Sequence, residues 1–491
     1  MPGRLIALMT LLLCASAMSL AAPPAQLEAI INRRIADPAL QGAQVGILVQ
    51  SLDNGDIWYA RNADASFIPA SNAKVITAIL ALEYLRPEYR FTTRLLTAGT
   101  ITDGVLQGDL YLQGGGDPSL TGEELRAMAH ALAMGDPARH IPPIHQVNGR
   151  LLLDCSFFPR SGPLVNADWE AGDLPWYYAA PACALSCHRN AVTVTVRGTA
   201  AGQRPQVITT PDTGLFNIRN HAMTSAHVNT GAVEVSRSGS VISVAGNVAP
   251  GVELEERLSV PNPERFTGEQ LRNALRAENI STSEMTDSAA DAKQCTVLVE
   301  HRSLPLADLV VTMLKESDNH FAEQLRWTLL SLYSRERPLD ERYEAMLRDF
   351  SAHSGLPFNG LTLVDGSGLS RHNRVSPYAM VRMLTYMALS PNYATFYQAL
   401  PVAGVDGTLR KRMTDGPACT NCHAKTGTMR GVSALSGYLH NAQGERLVFC
   451  IFVNGYSRGA AVARRLQDDI VEELAGCSSV PSTRGNQIAH H

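Results

Sequence analysis

Val45 to Leu52 is an apolar run, followed by Asp53-Asn54-Gly55-Asp56 and then by Ile57-Trp58-Tyr59-Ala60. An Asn-Gly pair between two such segments marks a tight hairpin, because the turn needs positive φ at its central residues. The pattern predicts two antiparallel strands. Near the C-terminus it recurs: Val432 to Leu439 and Arg446 to Val453 flank a turn at Asn441–Gly444, and Ala460 to Leu474 carries apolar residues at helical spacing. Two ends that each supply a hairpin to one antiparallel sheet predict a single domain, split in sequence. Val75 to Leu82, apolar almost throughout, predicts a buried helix.

Between these ends the character changes. Val192–Val196, Val233–Val235 and Val241–Val244 are short β-rich pieces among Gly, Pro and Asn, with few long helical patterns. The organisation read from this is a first domain segment over 22–95, an inserted β-rich region over 96–290 forming two small domains, a second segment over 291–477, and a polar tail over 478–491. The fold class is α/β in the α+β sense, an antiparallel sheet with helices. Residues 1–21 hold one cation, Arg4, an apolar run from Leu5 to Leu13 and the small-residue site Ser19-Leu20-Ala21. That reads as a cleaved secretory signal, too short to span a membrane. Removing it would leave eight cysteines, an even number suited to disulfides outside the cytoplasm.

Composition narrows the classes. The 491 residues are 45% hydrophobic and 18% charged, which excludes a disordered chain, and the net charge of −4 argues against an electrostatic nucleic-acid binder. Only five of the 42 basic residues are lysines, and Lys74 is the sole lysine before Lys293. A lysine kept in an arginine-rich chain points to a need for an amine that can lose its proton.

Ser71-Asn72-Ala73-Lys74 opens the buried helix, so the Lys74 amine and the Ser71 hydroxyl share a helix face, a nucleophile with a base in reach. Ser317-Asp318-Asn319 falls between two helical patterns, where Asn319 could equally cap the second. His423-Ala424-Lys425-Thr426-Gly427-Thr428 reads as a strand edge preceding the C-terminal hairpin, and Lys-Thr/Ser-Gly arises by chance about 0.05 times in such a chain. Cys419-Thr420-Asn421-Cys422-His423 matches a haem-attachment pattern, but haem there would block the neighbouring lysine, so a structural disulfide is the reading preferred. Cys183 and Cys187 suggest another. No His-Glu-x-x-His or comparable pair offers a metal site, and Gly114–Gly116 lacks the Lys-Ser/Thr of a phosphate loop.

Ser-x-x-Lys, Ser-Asp-Asn and Lys-Thr-Gly in this order form the signature of β-lactamases and penicillin-binding proteins. The gap between Lys74 and Ser317, Gly114-Gly-Gly-Asp-Pro-Ser-Leu120 and Asp365-Gly-Ser-Gly-Leu-Ser-Arg371 narrow the resemblance. The chain resembles the class C low-molecular-mass penicillin-binding proteins, the D-alanyl-D-alanine carboxypeptidase/endopeptidase family. The resemblance implies a β-lactamase/transpeptidase-like domain and a serine DD-peptidase acting through an acyl-enzyme. Its partners would be peptidoglycan stem peptides and, as covalent inhibitors, β-lactams, with no cofactor and a periplasmic location. It further implies Ser71 as nucleophile, Lys74 as base, Ser317 as proton relay and Asn319 as a holder of Lys74 and the substrate amide. Lys425 would be a fixed cation that, with Thr426, holds the terminal carboxylate, while Gly427 admits the substrate and the amides of Ser71 and Thr428 form the oxyanion site. Asp173, Tyr178 and Arg371 would meet the ammonium, stem and carboxylate of the diamino acid. A β-lactamase or esterase on the same fold and a non-catalytic penicillin-binding module are the rival readings.

Overall fold

The protein is described here by a computed structural model covering residues 25–159, 164–290, 294–333, 335–356 and 360–478. The expected signal segment, Lys293 and all but the first residue of the expected tail lie outside these residues. The two ends of the chain do build one sheet. Strand β1 (Gln44–Ser51) pairs antiparallel with β2 (Ile57–Arg61) on one side and with the last strand on the other, giving the order β2, β1, β5 (Arg446–Asn454), β4 (Val432–His440), β3 (His423–Met429). A single antiparallel register, Val45 opposite Val453 through Ser51 opposite Leu447, joins residues some 400 positions apart.

Both faces of this sheet are covered, and the alternation of side chains along a strand sorts its residues between them. Val448, Cys450 and Phe452 of β5 face the larger core with α1 (Ala73–Tyr84), α2 (Leu306–Lys315), α3 (Asn319–Leu332) and α4 (Pro377–Leu389). Leu447, Phe449, Ile451 and Val453 face the other side, against Leu466, Ile470 and Leu474 of α5 (Ala460–Gly476). Helix α1 runs through the middle of the larger core with every residue from Ala73 to Leu82 buried, which is why its sequence is apolar on all sides.

The intervening region is richer in helix than its sequence suggests. Among the described residues its strands contribute to one five-stranded, one four-stranded and two three-stranded sheets, and two helices of 13 and 15 residues, Gly122–Met134 and Pro263–Ala277, join their apolar core. The expected limits at 96 and 290 fall within one sheet. Thr92–Thr97 and Thr296–Arg302 pair antiparallel in it, so the first limit cuts a strand and the second omits its partner. No described helix is long and apolar enough to cross a membrane.

Neither expected disulfide, Cys419 with Cys422 or Cys183 with Cys187, is formed. Gln324 of α3 bonds the backbone of Cys183 at both its amide (3.1 Å) and its carbonyl (2.9 Å), and Cys183 Sγ lies 3.5 Å from Cys155 Sγ rather than beside Cys187. Cys422 is buried in the apolar core under the sheet while Cys419 sits against Gly404. His423, the third member of the haem-like pattern, stacks on Tyr397 with ring centroids 3.9 Å apart.

Candidate active site

A turn of 3-10 helix, Ala70–Asn72, leads into α1 and carries Ser71, whose hydroxyl caps no helix. The next turn of α1 brings Lys74 beneath it. The fully buried Lys74 Nζ lies 2.9 Å from Ser71 Oγ and donates to Asn319 Oδ1 at 2.6 Å and to the Ser367 carbonyl at 2.7 Å. The i, i+3 spacing and the Ser-Asp-Asn segment thus converge on one amine. Asn319 opens α3 without capping it. Asp318 takes that role, accepting from the Phe321 amide at 3.0 Å, and this leaves the Asn319 carboxamide free to bridge Lys74 and the Tyr178 carbonyl, which accepts from Nδ2 at 2.7 Å.

Strand β3 supplies the second lysine. Lys425 Nζ donates to Ser317 Oγ and to the Thr426 carbonyl, both at 2.8 Å. Ser317 holds positive φ (+59°), a conformation uncommon outside glycine and asparagine that places its hydroxyl between the two helices and the strand. The strand is tied to the nucleophile turn by Asn72, which donates to the Lys425 carbonyl at 3.1 Å and accepts from Ser436. Gly427 is required by this approach: a Cβ there would stand 2.7 Å from the Pro69 carbonyl and 3.1 Å from the Ser71 amide. Gly368 plays the same part for the loop that follows residue 364, since its Cβ would meet the Ala70 carbonyl at 1.9 Å. Ser71, Ser317, Thr426 and Thr428 face a common cavity of about 530 Å³, and Thr426 Oγ1 is 2.7 Å from Thr408 Oγ1.

Burial sets the electrostatics. It pushes Lys74 down to about 8, against the opposing charges of Asp365, Asp318 and Glu323. Burial also holds Lys425 well below the ordinary lysine range, and the charge of Lys74 adds to the effect. Among the described residues no carboxylate lies within ion-pair distance of Lys425. Two buried ammonium groups with acidic support on one side only disfavour each other's charge.

Several residues with no role assigned from the sequence shape this site. Glu323, four residues after Asn319 on the same helix face, accepts from the amides of Gly366 (3.0 Å) and Ser367 (2.8 Å), holding the carbonyl that Lys74 uses. Burial and the charge of Asp365 raise its carboxyl to about 7. Asp365 folds the same loop by accepting from Gly368 (2.8 Å), Ser370 (2.6 Å) and the Trp169 indole (3.0 Å). The spacing of Glu323 from Asn319 could have flagged it. The segment over residues 365–371 stood out in the sequence, but the part its Ser367 carbonyl plays at Lys74 did not.

Of the three residues expected to meet the diamino acid, Asp173 and Tyr178 touch each other, and Arg371 is tied to Glu170 of the same stretch. The Tyr178 hydroxyl donates to Asp173 at 2.9 Å, and burial followed by that bond raises the phenol to about 12. Arg371 donates to Glu170 at 2.8 Å and also to the Arg430 carbonyl.

Comparison with known proteins gives a consistent picture. Residues 27–476 match the D-Ala-D-Ala carboxypeptidase 3 (S13) family. A D-alanyl-D-alanine carboxypeptidase of an Actinomadura species is 33% identical over 470 residues, covering 92% of this chain and 84% of that one. The crystal structure of penicillin binding protein 4 from Haemophilus influenzae superposes with a TM-score of 0.76 at 27% identity, over 91% of this chain and 99% of that one. The same protein complexed with a β-lactam superposes with a TM-score of 0.73 at 25% identity, over 91% and 99% of the two chains.

Proposed function

The chain belongs to the D-Ala-D-Ala carboxypeptidase 3 (S13) family and is a serine DD-peptidase of the penicillin-binding class, and from that premise we propose how its residues divide the reaction on peptidoglycan stem peptides. The observation that carries the assignment is the shared position of Lys74 Nζ between Ser71 Oγ and Asn319 Oδ1.

Substrate enters with its terminal carboxylate at Lys425 and Thr426. That carboxylate supplies the counter-charge Lys425 lacks, so Lys425 holds its proton, and its charge then favours the neutral form of Lys74. Neutral Lys74 takes the Ser71 proton as Oγ attacks the carbonyl of the penultimate D-Ala, and the amides of Ser71 and Thr428 receive the oxyanion. The C–N bond breaks, the leaving amine takes a proton through Ser317, and water then hydrolyses the ester on Ser71. Asn319 keeps Lys74 in place throughout. Asp173, Tyr178 and Arg371 receive the diamino acid of the stem peptide, with Arg371 exchanging Glu170 for the substrate's carboxylate. The cell wall outside the cytoplasm is the place of action, supported by the secretory pattern of residues 1–21 and by the family itself.

A β-lactam presents the same carbonyl and carboxylate, so incubation should raise the intact mass by one drug equivalent. Ser71→Ala should remain unmodified. Labelling that persists in Ser71→Ala would overturn the assignment.

A further inference from the structure

The cavity that holds Ser71 and Thr426 extends past Thr408 to a wall with no acidic residue in its lining. Arg410, Lys411 and Arg464 stand on this wall, all exposed, and none of the three makes an ion pair with a described residue. Arg412 beside them differs, because Asp468 neutralises it at 2.6 Å. Arg410 and Lys411 thus face the cleft without a salt bridge, and Arg464 has only the more distant field of Asp468, which Arg412 already occupies. Like charges held together repel, so the cluster gains when an anion occupies it.

The place of these cations relative to the scissile bond identifies the anion. Thr426, with Lys425, is where the carboxylate of the departing residue sits, so the cavity beyond Thr426 belongs to the leaving group. When a free stem peptide is trimmed, the leaving group is one D-Ala whose single carboxylate is already held. When a cross-link is cut, the departing amine belongs to the diamino acid of a second stem peptide, which carries further carboxylates of its own acidic residues. The geometry points to Arg410, Lys411 and Arg464 as a subsite for the carboxylates of that second strand, which makes cross-linked peptide a preferred substrate. The inference rests on the DD-peptidase reading of Ser71 and adds to it the determinants of the leaving side. The chemistry is unchanged: the Ser71 Oγ–carbon bond forms, the carbon–nitrogen bond breaks, and the amine of the second strand leaves protonated.

The test compares the full chain with the Arg410→Gln/Lys411→Gln/Arg464→Gln triple variant. The substrates are a stem pentapeptide ending in D-Ala-D-Ala, a cross-linked dimer, and the same dimer with every leaving-strand carboxylate amidated except the one on the departing diamino acid that Lys425 and Thr426 hold. The triple variant should lose about tenfold in kcat/KM on the dimer, the combined effect of three exposed charge contacts. It should stay within about twofold on the pentapeptide and on the amidated dimer, and added salt should weaken wild-type activity on the unmodified dimer most. Acylation by a β-lactam reports an intact site in both proteins. An equal fall on pentapeptide and dimer, or no fall on the dimer with acylation preserved, would overturn the subsite. A wild-type chain that acylates and trims pentapeptide without cutting the dimer would defeat this inference alone, whereas absence of acylation altogether would defeat the reading on which it rests.

Discussion

Lys74 is the residue on which the chemistry turns, because it is fully buried, has three acceptors and is still pushed down to about 8. A guanidinium at this position keeps its charge and cannot accept the Ser71 proton, so Lys74→Arg should lower β-lactam acylation by about 10²–10⁴-fold, the usual worth of a general base. Lys425→Arg should fall less, chiefly in carboxylate recognition, and comparable falls with unchanged pH profiles would argue against the division of roles. Glu323→Gln tests the electrostatics. The carboxamide can still accept from Gly366 and Ser367, but the negative charge that favours the charged form of Lys74 is gone. Lys74 should therefore lose its proton at lower pH, and the rising limb of the pH–rate profile should move down. A limb that stays in place would remove Glu323 from the account. Ser71 with Lys74 was legible in the sequence because helical spacing alone puts them together. The electrostatic setting of Lys425 was not, since it depends on its burial and on the approach of Lys74, both of which only the fold brings about.

Strand β3 and the turn Ala70–Asn72 touch at Gly427, and that contact sets the distance between the nucleophile and the substrate-holding edge. Gly427→Ala places a methyl 2.7 Å from the Pro69 carbonyl, which forces the strand away. A displacement of about 1 Å can cost about 10²-fold in rate, so acylation should fall by more than tenfold while circular dichroism stays native. An unchanged rate would show that the strand has room to spare. The hairpins β1–β2 and β4–β5 were readable from alternation and turn residues, and so was their union in one sheet. The pairing of Thr92–Thr97 with Thr296–Arg302 was not, because both are short segments about two hundred residues apart with no turn to join them. Helix Pro263–Ala277 did carry signals, an Asn262 cap accepting from the Arg265 amide at 2.9 Å and Pro263 at its first position, but they stand among β-rich pieces that dominate that stretch. The basic triplet Arg410–Arg412 was likewise present in the sequence. Its meaning required knowing which of the three is neutralised and what cavity the others face.

The whole molecule is organised to bring three distant segments to one point. Ser71 and Lys74 come from the first part of the chain, Ser317 and Asn319 from the middle, and Lys425 to Thr428 from the end, with the sheet closing when β5 returns to pair with β1. The inserted region is not a passive appendage. Gln324, on the helix that Asn319 opens, bonds the Cys183 carbonyl and Ser186 at 2.9 Å each and the Gly116 carbonyl at 3.3 Å, so the glycine-rich segment Gly114–Leu120 docks onto the site through that helix. The loop over residues 173–178 reaches Asn319 in the same way, through the Tyr178 carbonyl. The central claim is that this assembly makes Ser71 a nucleophile by giving it a lysine that loses its proton near neutrality. The most direct measurement is the rate of β-lactam acylation as a function of pH, with the adduct located by peptide mass. The account predicts an adduct on the peptide containing Ser71 and a rate that climbs about tenfold per pH unit at low pH and levels off near pH 8, where Lys74 is half deprotonated. An adduct on another residue, or a rate indifferent to pH between 6 and 9, would contradict it.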